Sequence, residues 1–121
     1  VLTAVHATDT DEDLRKTAEK LLALRVFPEG DKAYHLDVMQ AGGGVLLVPN
    51  FTVAADTTGG RRPALHPAAP PAVAAGMFET LVALIREKYP RVATGRFGAD
   101  MEVTIVNDGP LTVLFDTRAK G

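Results

Sequence analysis

Few side chains in this sequence have a type and spacing suited to making or breaking a bond. Cysteine is absent, which excludes thiolate nucleophiles and disulfides, and no Ser/His/Asp arrangement suggests itself. The three histidines, His6, His35 and His66, fall on separate segments without metal-ligand spacing, so they read as solvated or hydrogen-bonded polar residues. Asp9, Asp11, Glu12 and Asp13 crowd one stretch, where acids at a helix start interact favourably with its dipole; a metal would need ligands converging from elsewhere. Neither metal nor cofactor is expected. If the chain is an enzyme, backbone groups or the substrate itself must carry much of the chemistry.

Two loops stand out. In "DTTGGRRP", residues 56–63, adjacent Arg61 and Arg62 sit on a glycine-loosened, hydroxyl-rich segment that suits a phosphodiester backbone, with a solvated surface loop as the equal alternative. In "NDGPLT", residues 107–112, Asp108-Gly109 is a hairpin signal between two alternating apolar runs, yet Pro110 behind it has no N–H to give to a strand ladder. "GGG" at 42–44 precedes a strand rather than a helix, so it reads as a flexible turn and not a phosphate loop.

The elements that must position these residues follow from periodicity. "VLTAVHA" at the start is strand-like, as in a chain that begins inside a sheet. Residues 8–27 carry Leu14, Ala18, Leu21, Leu22 and Val26 at helical spacing, with Thr10 and Asp13 placed as a capping box. Pro28 to Asp31 reads as a turn, "AYHLDV" as a short strand, and "GGGVLLVPNFTV" as a strand that Pro49 ends or places at an edge. Residues 55–70 read as loop. Residues 70–90 form a second helix opened by proline, with Val73, Met77, Leu81, Leu84 and Ile85 on one face. "RVATGRFGA", "MEVTIVN" and "LTVLFD" predict three more strands.

Composition bounds the class. The 121 residues suit a single domain, 1–121, and 46% hydrophobic with 23% charged residues describes an ordinary globular chain. No apolar run is long enough to cross a bilayer, no signal-peptide pattern is present, and a cytoplasmic location is the default. Residues 1–60 hold five basic and nine acidic side chains, and residues 61–121 eight and six. The second half can therefore host a local basic site for a phosphate-bearing partner, or simply scattered solvated charges.

The ordered set "QAGGGVLLVPNFTVAADTTGGRRP", the second helix and "TGRFGADMEVTIVNDGPLTV" resembles the D-aminoacyl-tRNA deacylases, from about Val1 to Phe115. The resemblance implies a single-domain α/β fold of mixed, mostly antiparallel sheets forming a barrel-like core with two helices outside. It places the start of this chain roughly at the family's third strand, without the family's amino-terminal strands. The implied activity is hydrolysis of the ester between a D-amino acid, or mischarged glycine, and the 3′-terminal adenosine of tRNA. The implied partners are tRNA and a second copy, in a homodimer with active sites at the subunit interface.

Each family site joins a strand-end Ser-Gln-x-x-Leu motif to an Asn-x-Gly-Pro-x-Thr motif reaching across from the partner. The second is intact here as Asn107, Gly109, Pro110 and Thr112, and the resemblance implies a cis Gly109–Pro110 bond whose neighbouring carbonyls reject L-amino acids. At the first, Pro49-Asn50-Phe51-Thr52-Val53 stands where Ser-Gln-Phe-Thr-Leu is the pattern. Catalytic roles then fall to Asn50, to the Phe51 N–H as oxyanion donor, and to Thr52. Gly95, Phe97, Gly98, Ala99 and Met101 match the stretch lining the terminal-adenosine pocket, with core packing as the alternative for Phe97 and Met101. Arg61 and Arg62 match a loop near the acceptor stem. The rival reading, motivated by the altered "VPNFTV", is a relative that keeps the fold and binds RNA ends or a protein partner.

Overall fold

A computed structural model describes residues 1–118; the last three residues of the expected domain, 119–121, lie outside the described residues. Helix α1 spans Asp11–Ala23, opened by the expected device: Asp13 Oδ2 accepts the Thr10 N–H at 2.8 Å and the Thr10 hydroxyl at 3.1 Å. It buries Leu14, Ala18 and Leu22. It stops before Val26 because Phe27 is taken into a hairpin and precedes Pro28, which disfavours the helical conformation. That hairpin pairs β2, Phe27–Glu29, with β3, Lys32–Leu36, around Gly30 at φ +60°.

Strand β4, Val45–Pro49, is the centre of the second sheet. It pairs in parallel with β1, Leu2–Thr3, on one side and with β5, Val92–Thr94, on the other. Helix α2, Pro71–Lys88, lies between β4 and β5 in the chain, as α1 lies between β1 and β4. These are long helical crossovers, which return the chain to the same end of the sheet and make its strands parallel. The expected mostly antiparallel, barrel-like core is corrected on both points: among the described residues the three-stranded sheet is parallel, with antiparallel pairing in the β2–β3 hairpin and two isolated bridges, and that sheet keeps two edges, β1 and β5, and does not close.

The core lies where both helices cover β4. Leu14, Ala18 and Leu22 of α1 meet Phe78, Leu81, Val82 and Ile85 of α2 over Val45 and Leu47, with Leu47 and Ile85 fully buried. The buried stripe of α2 is Ala74, Phe78, Leu81, Val82 and Ile85, rotated from the expected one, and Val73 is exposed. Small Ala74 sets that rotation by packing against Val5 and Ala69. The triple-glycine turn is pinned, contrary to its reading as flexible. The Tyr89 hydroxyl donates to the Gly43 carbonyl, the Arg91 guanidinium donates to the Gly42 carbonyl, and the Gly43 N–H reaches Val38 O at 3.0 Å.

Residues 101–107 and 111–116, expected as strands, have no strand structure. Alternation only marks a segment that could fill a ladder, and among the described residues no other strand pairs with this one to supply it. The segment leaves Val106 and Leu114 about nine-tenths exposed, at 90% and 91%. Its end is tied to the body by Arg118, which reaches Asp116 at 2.8 Å and His6 Nε2 at 2.7 Å, and by Lys20, whose Nζ lies 5.9 Å from the Phe115 ring centroid.

The Thr10 N–H, and secondarily a Thr117 hydroxyl, hold the Asp13 carboxyl below the usual carboxylate range. A carboxyl depressed on folding contributes stability above its unfolded value, and that contribution is lost as pH falls through its folded value. Asp13→Asn is therefore expected to lower the thermal midpoint at pH 7, with the gap to wild type closing as pH falls below about 4, the ordinary carboxylate value. Melting curves of both proteins across that range test this.

Candidate active site at the end of β4

Parallel strands alternate their N–H groups between neighbours, and β4 does so: Val48 and Asn50 donate to Val1 and Thr3 carbonyls at 2.8 and 2.7 Å, while Val45 donates to the Arg91 carbonyl at 2.9 Å. On the β5 side the Gly95 N–H still reaches Leu47 O at 2.9 Å. The next donor in that series would be residue 49, and proline has no N–H. The β4–β5 ladder therefore stops at Thr94, and residues 95–101 turn away from the sheet over the end of β4.

Beyond Pro49 the chain enters a single 3₁₀ turn, Phe51–Ala54, with Val53 N–H on Asn50 O at 3.1 Å. The Thr52 hydroxyl donates to Asn50 Oδ1 at 2.7 Å, so these two expected catalytic side chains are committed to each other. The first N–H groups of a helical turn have no internal acceptor. Those of Phe51 and Thr52 meet no backbone or side-chain acceptor among the described residues and can serve an incoming oxyanion.

Beside this turn lies a cavity of about 390 Å³ with an almost wholly apolar lining. Val5, Pro49, Phe51, Ala69, Phe78, Phe97 and Gly98 are among its lining residues. Phe97 is half-buried with its ring 6.1 Å from that of Phe78, tilted by 44°, so it both packs and lines. Met101 is half-buried too. Gly95 is tightly enclosed: a Cβ there would lie 3.0 Å from Met101 Sδ, 3.3 Å from Pro49 Cδ and 3.4 Å from Val48 Cγ1, so these side chains would have to give way by a few tenths of an ångström. Ala99 is exposed on a tight turn, its N–H on Arg96 O at 3.2 Å. The structure thus brings Pro49 and Phe51 of the strand-end motif together with Phe97 and Gly98 at one cavity, whose lining does not include Asn50, Thr52, Gly95, Ala99 or Met101.

It does not bring NDGPLT there. Asn107, Gly109 and Pro110 are exposed, and Asn107 bonds within its own loop, to Thr112 and to the Leu111 N–H. The expected cis Gly109–Pro110 bond is corrected: the described residues contain no cis peptide bond, and trans is the lower-energy form by about 0.5–1 kcal/mol for X–Pro when nothing else packs on it. Arg61 and Arg62 are exposed in a loop closed by Asp56 pairing with Ala64, and neither forms an ion pair among the described residues. The Thr58 hydroxyl and N–H hold the Asp56 carboxyl below its usual range at the loop base. The sequence reading missed Val5, Ala69, Pro71 and Phe78 as cavity residues, because hydropathy does not distinguish an apolar wall from an apolar core.

A family model described as D-Tyr-tRNA(Tyr) deacylase matches residues 1–116. A D-aminoacyl-tRNA deacylase from Chromohalobacter salexigens is 49% identical over 117 residues, which are 97% of this chain and 81% of the relative. That of Teredinibacter turnerae is 44% identical over 116 residues, 96% of this chain and 80% of the relative. Among solved structures, a c-Myc DNA unwinding element binding protein superposes with a TM-score of 0.92 at 31% identity, covering 98% of this chain and 80% of that one. A probable eukaryotic D-amino acid tRNA deacylase superposes at 0.70 with 18% identity, over 82% of this chain and 74% of that one, a likeness of fold.

Gly95→Ala is expected to force Pro49 and Met101 apart and to lower the unfolding free energy by about 1–2 kcal/mol, the usual scale for overpacking. Urea denaturation measures it, and an unchanged midpoint would show that the 95–101 stretch yields freely.

Proposed function

The chain belongs to the D-Tyr-tRNA(Tyr) deacylase family, and we propose that its D-aminoacyl-tRNA hydrolysis takes place at the end of β4. The observation that carries this placement is the meeting of unpartnered N–H groups at Phe51 and Thr52 with an apolar cavity walled by Phe51 and Phe97. An aminoacyl ester is already activated, so catalysis needs mainly orientation and stabilisation of the developing oxyanion. The terminal adenine enters beside Phe97, Gly98 and Met101, and the ester carbonyl sits against the Phe51 N–H. Water adds to that carbonyl. The tetrahedral intermediate then releases the ribose oxygen, and the 2′-hydroxyl relays the proton from the attacking water to it. The products are a free amino acid and a tRNA with an intact 3′ end.

Asn50 and Thr52 hold one another and so position the turn that carries the N–H groups. Arg61 and Arg62 contact acceptor-stem phosphates. The working unit is a cytoplasmic homodimer in which NDGPLT of one copy closes the site of the other and rejects L-amino acids through carbonyls near Gly109–Pro110; the exposure of that loop in the single chain supports this reading. Rejection on one side of the α-carbon alone would admit glycine, so mischarged glycyl-tRNA is a second substrate. A second reading, binding of nucleic-acid ends without turnover, is favoured by Pro49 and Asn50 standing in the strand-end motif and by the name of the DNA-binding structural relative.

Purified protein is expected to release D-amino acids and glycine from tRNA above the spontaneous rate while sparing L-aminoacyl-tRNA. Phe97→Ala should lower kcat/KM about tenfold by removing a stacking wall. Replacing Arg61 and Arg62 by Gln should raise KM and flatten its salt dependence. Saturable binding with no release from any of the substrates would decide for the second reading.

A further inference from the structure

We infer that Asp56 is a positioning residue: its carboxylate clasps the loop of residues 57–63 so that Arg61 and Arg62 meet a phosphodiester backbone at a fixed place relative to the Phe51–Ala54 turn. The inference rests on the reading that those arginines contact acceptor-stem phosphates, and deepens it. Asp56 and Ala64 each donate an N–H to the other's carbonyl at 2.9 Å, which closes the base of the loop. Above that base, Asp56 Oδ1 accepts the Thr58 N–H at 2.9 Å and the Thr58 hydroxyl at 2.7 Å. Among the described residues these are the only hydrogen bonds made by residues 57–63, all of which are exposed. The tip stands clear of the body: a Cβ on Gly59 or Gly60 would meet nothing within 4 Å, and Gly60 sits at φ +69°, where a side chain would be strained.

Both ends of the loop are built into the site. Thr52 O accepts the Ala55 N–H at 3.0 Å, so the turn that carries the Phe51 and Thr52 N–H groups runs directly into Asp56. Leu65, which follows Ala64, lines the apolar cavity. What holds the loop above its base therefore sets where the arginines stand relative to the ester. Asp56 Oδ1 is committed to Thr58, and among the described residues neither arginine forms an ion pair, so both guanidinium groups stay available to phosphate. Charge and position then predict opposite signs. A carboxylate close to a phosphate site repels the ligand, so removing its charge alone strengthens binding. Removing a clasp weakens binding, because the loop must then be ordered when RNA arrives.

The test measures Kd for deacylated tRNA by fluorescence anisotropy, and kcat and KM for D-aminoacyl-tRNA. The proteins are the wild type, Asp56→Ala, Asp56→Asn, Arg61→Gln/Arg62→Gln, and Asp56→Ala added to that double variant. Asp56→Ala should raise Kd and KM about fivefold with kcat unchanged, the scale of one further residue to be ordered on binding. Asparagine offers the same oxygen to both Thr58 donors, so Asp56→Asn should bind no more weakly than the wild type. With both arginines replaced, Asp56→Ala should have no further effect, since one device is removed once. A Kd that falls or stays unchanged in Asp56→Ala, an equal weakening in Asp56→Asn, or a loss confined to kcat would overturn the inference and leave the phosphate-contact reading intact. No saturable tRNA binding by the wild type, or an unchanged Kd in Arg61→Gln/Arg62→Gln, would overturn that reading and the inference with it. A wild type that binds tRNA without turnover would overturn the deacylase reading alone, and the Kd values would still decide the inference.

Discussion

Strand β4 is hydrogen-bonded on both flanks and covered by both helices, and this double commitment constrains the rest of the molecule. Its N–H groups alternate between β1 and β5, while Leu47 is sealed beneath α1 and α2. A one-residue slip would turn buried Leu47 to the other face and bring half-exposed Leu46 inward in its place, so register is strongly specified. Because both neighbours are parallel, everything that must happen at one end of the sheet happens at the end of β4.

What happens there is decided by a missing donor. Pro49 withholds the N–H that would extend the β5 ladder, so Gly95 is the last residue held to the sheet and the following stretch bends over the cavity. The same proline ring comes within 3.3 Å of where a Gly95 Cβ would be. One residue thus ends a ladder, walls a cavity and crowds the glycine opposite. The turn that follows exposes two unpartnered N–H groups next to that cavity, an arrangement that suits carbonyl chemistry without a side-chain nucleophile and accounts for the absence of any recognisable triad in the sequence.

The segment 102–116 obeys a different constraint. Its alternating apolar residues have no strand partner among the described residues, where β1 and β5 keep their edges and neither pairs with it. Ile105, Val106 and Leu114 are left exposed there. The NDGPLT turn at its tip nevertheless has internal bonds of its own. A turn held by its own side chains has less conformational freedom left to lose than an open loop.

From the sequence by itself one could read both helices, the Thr10–Asp13 cap, the strand ending at Pro49 and the two motifs that identify the family. Each is written in residues close together in the chain: a period of 3.6, a capping pair three apart, a proline. The parallel order of β1, β4 and β5 ran against the expected antiparallel one, since alternation does not say which strand pairs with which. Three things only the tertiary structure decided. The α2 stripe rotated toward Ala74 because that residue's small volume meets Val5 and Ala69 from distant parts of the chain. The last two apolar runs stayed without strand structure because a strand exists only with a neighbour, which no local pattern can supply. And Val5, Ala69 and Phe78 became walls of a cavity rather than plain core because burial, unlike hydropathy, depends on what else the fold brings alongside.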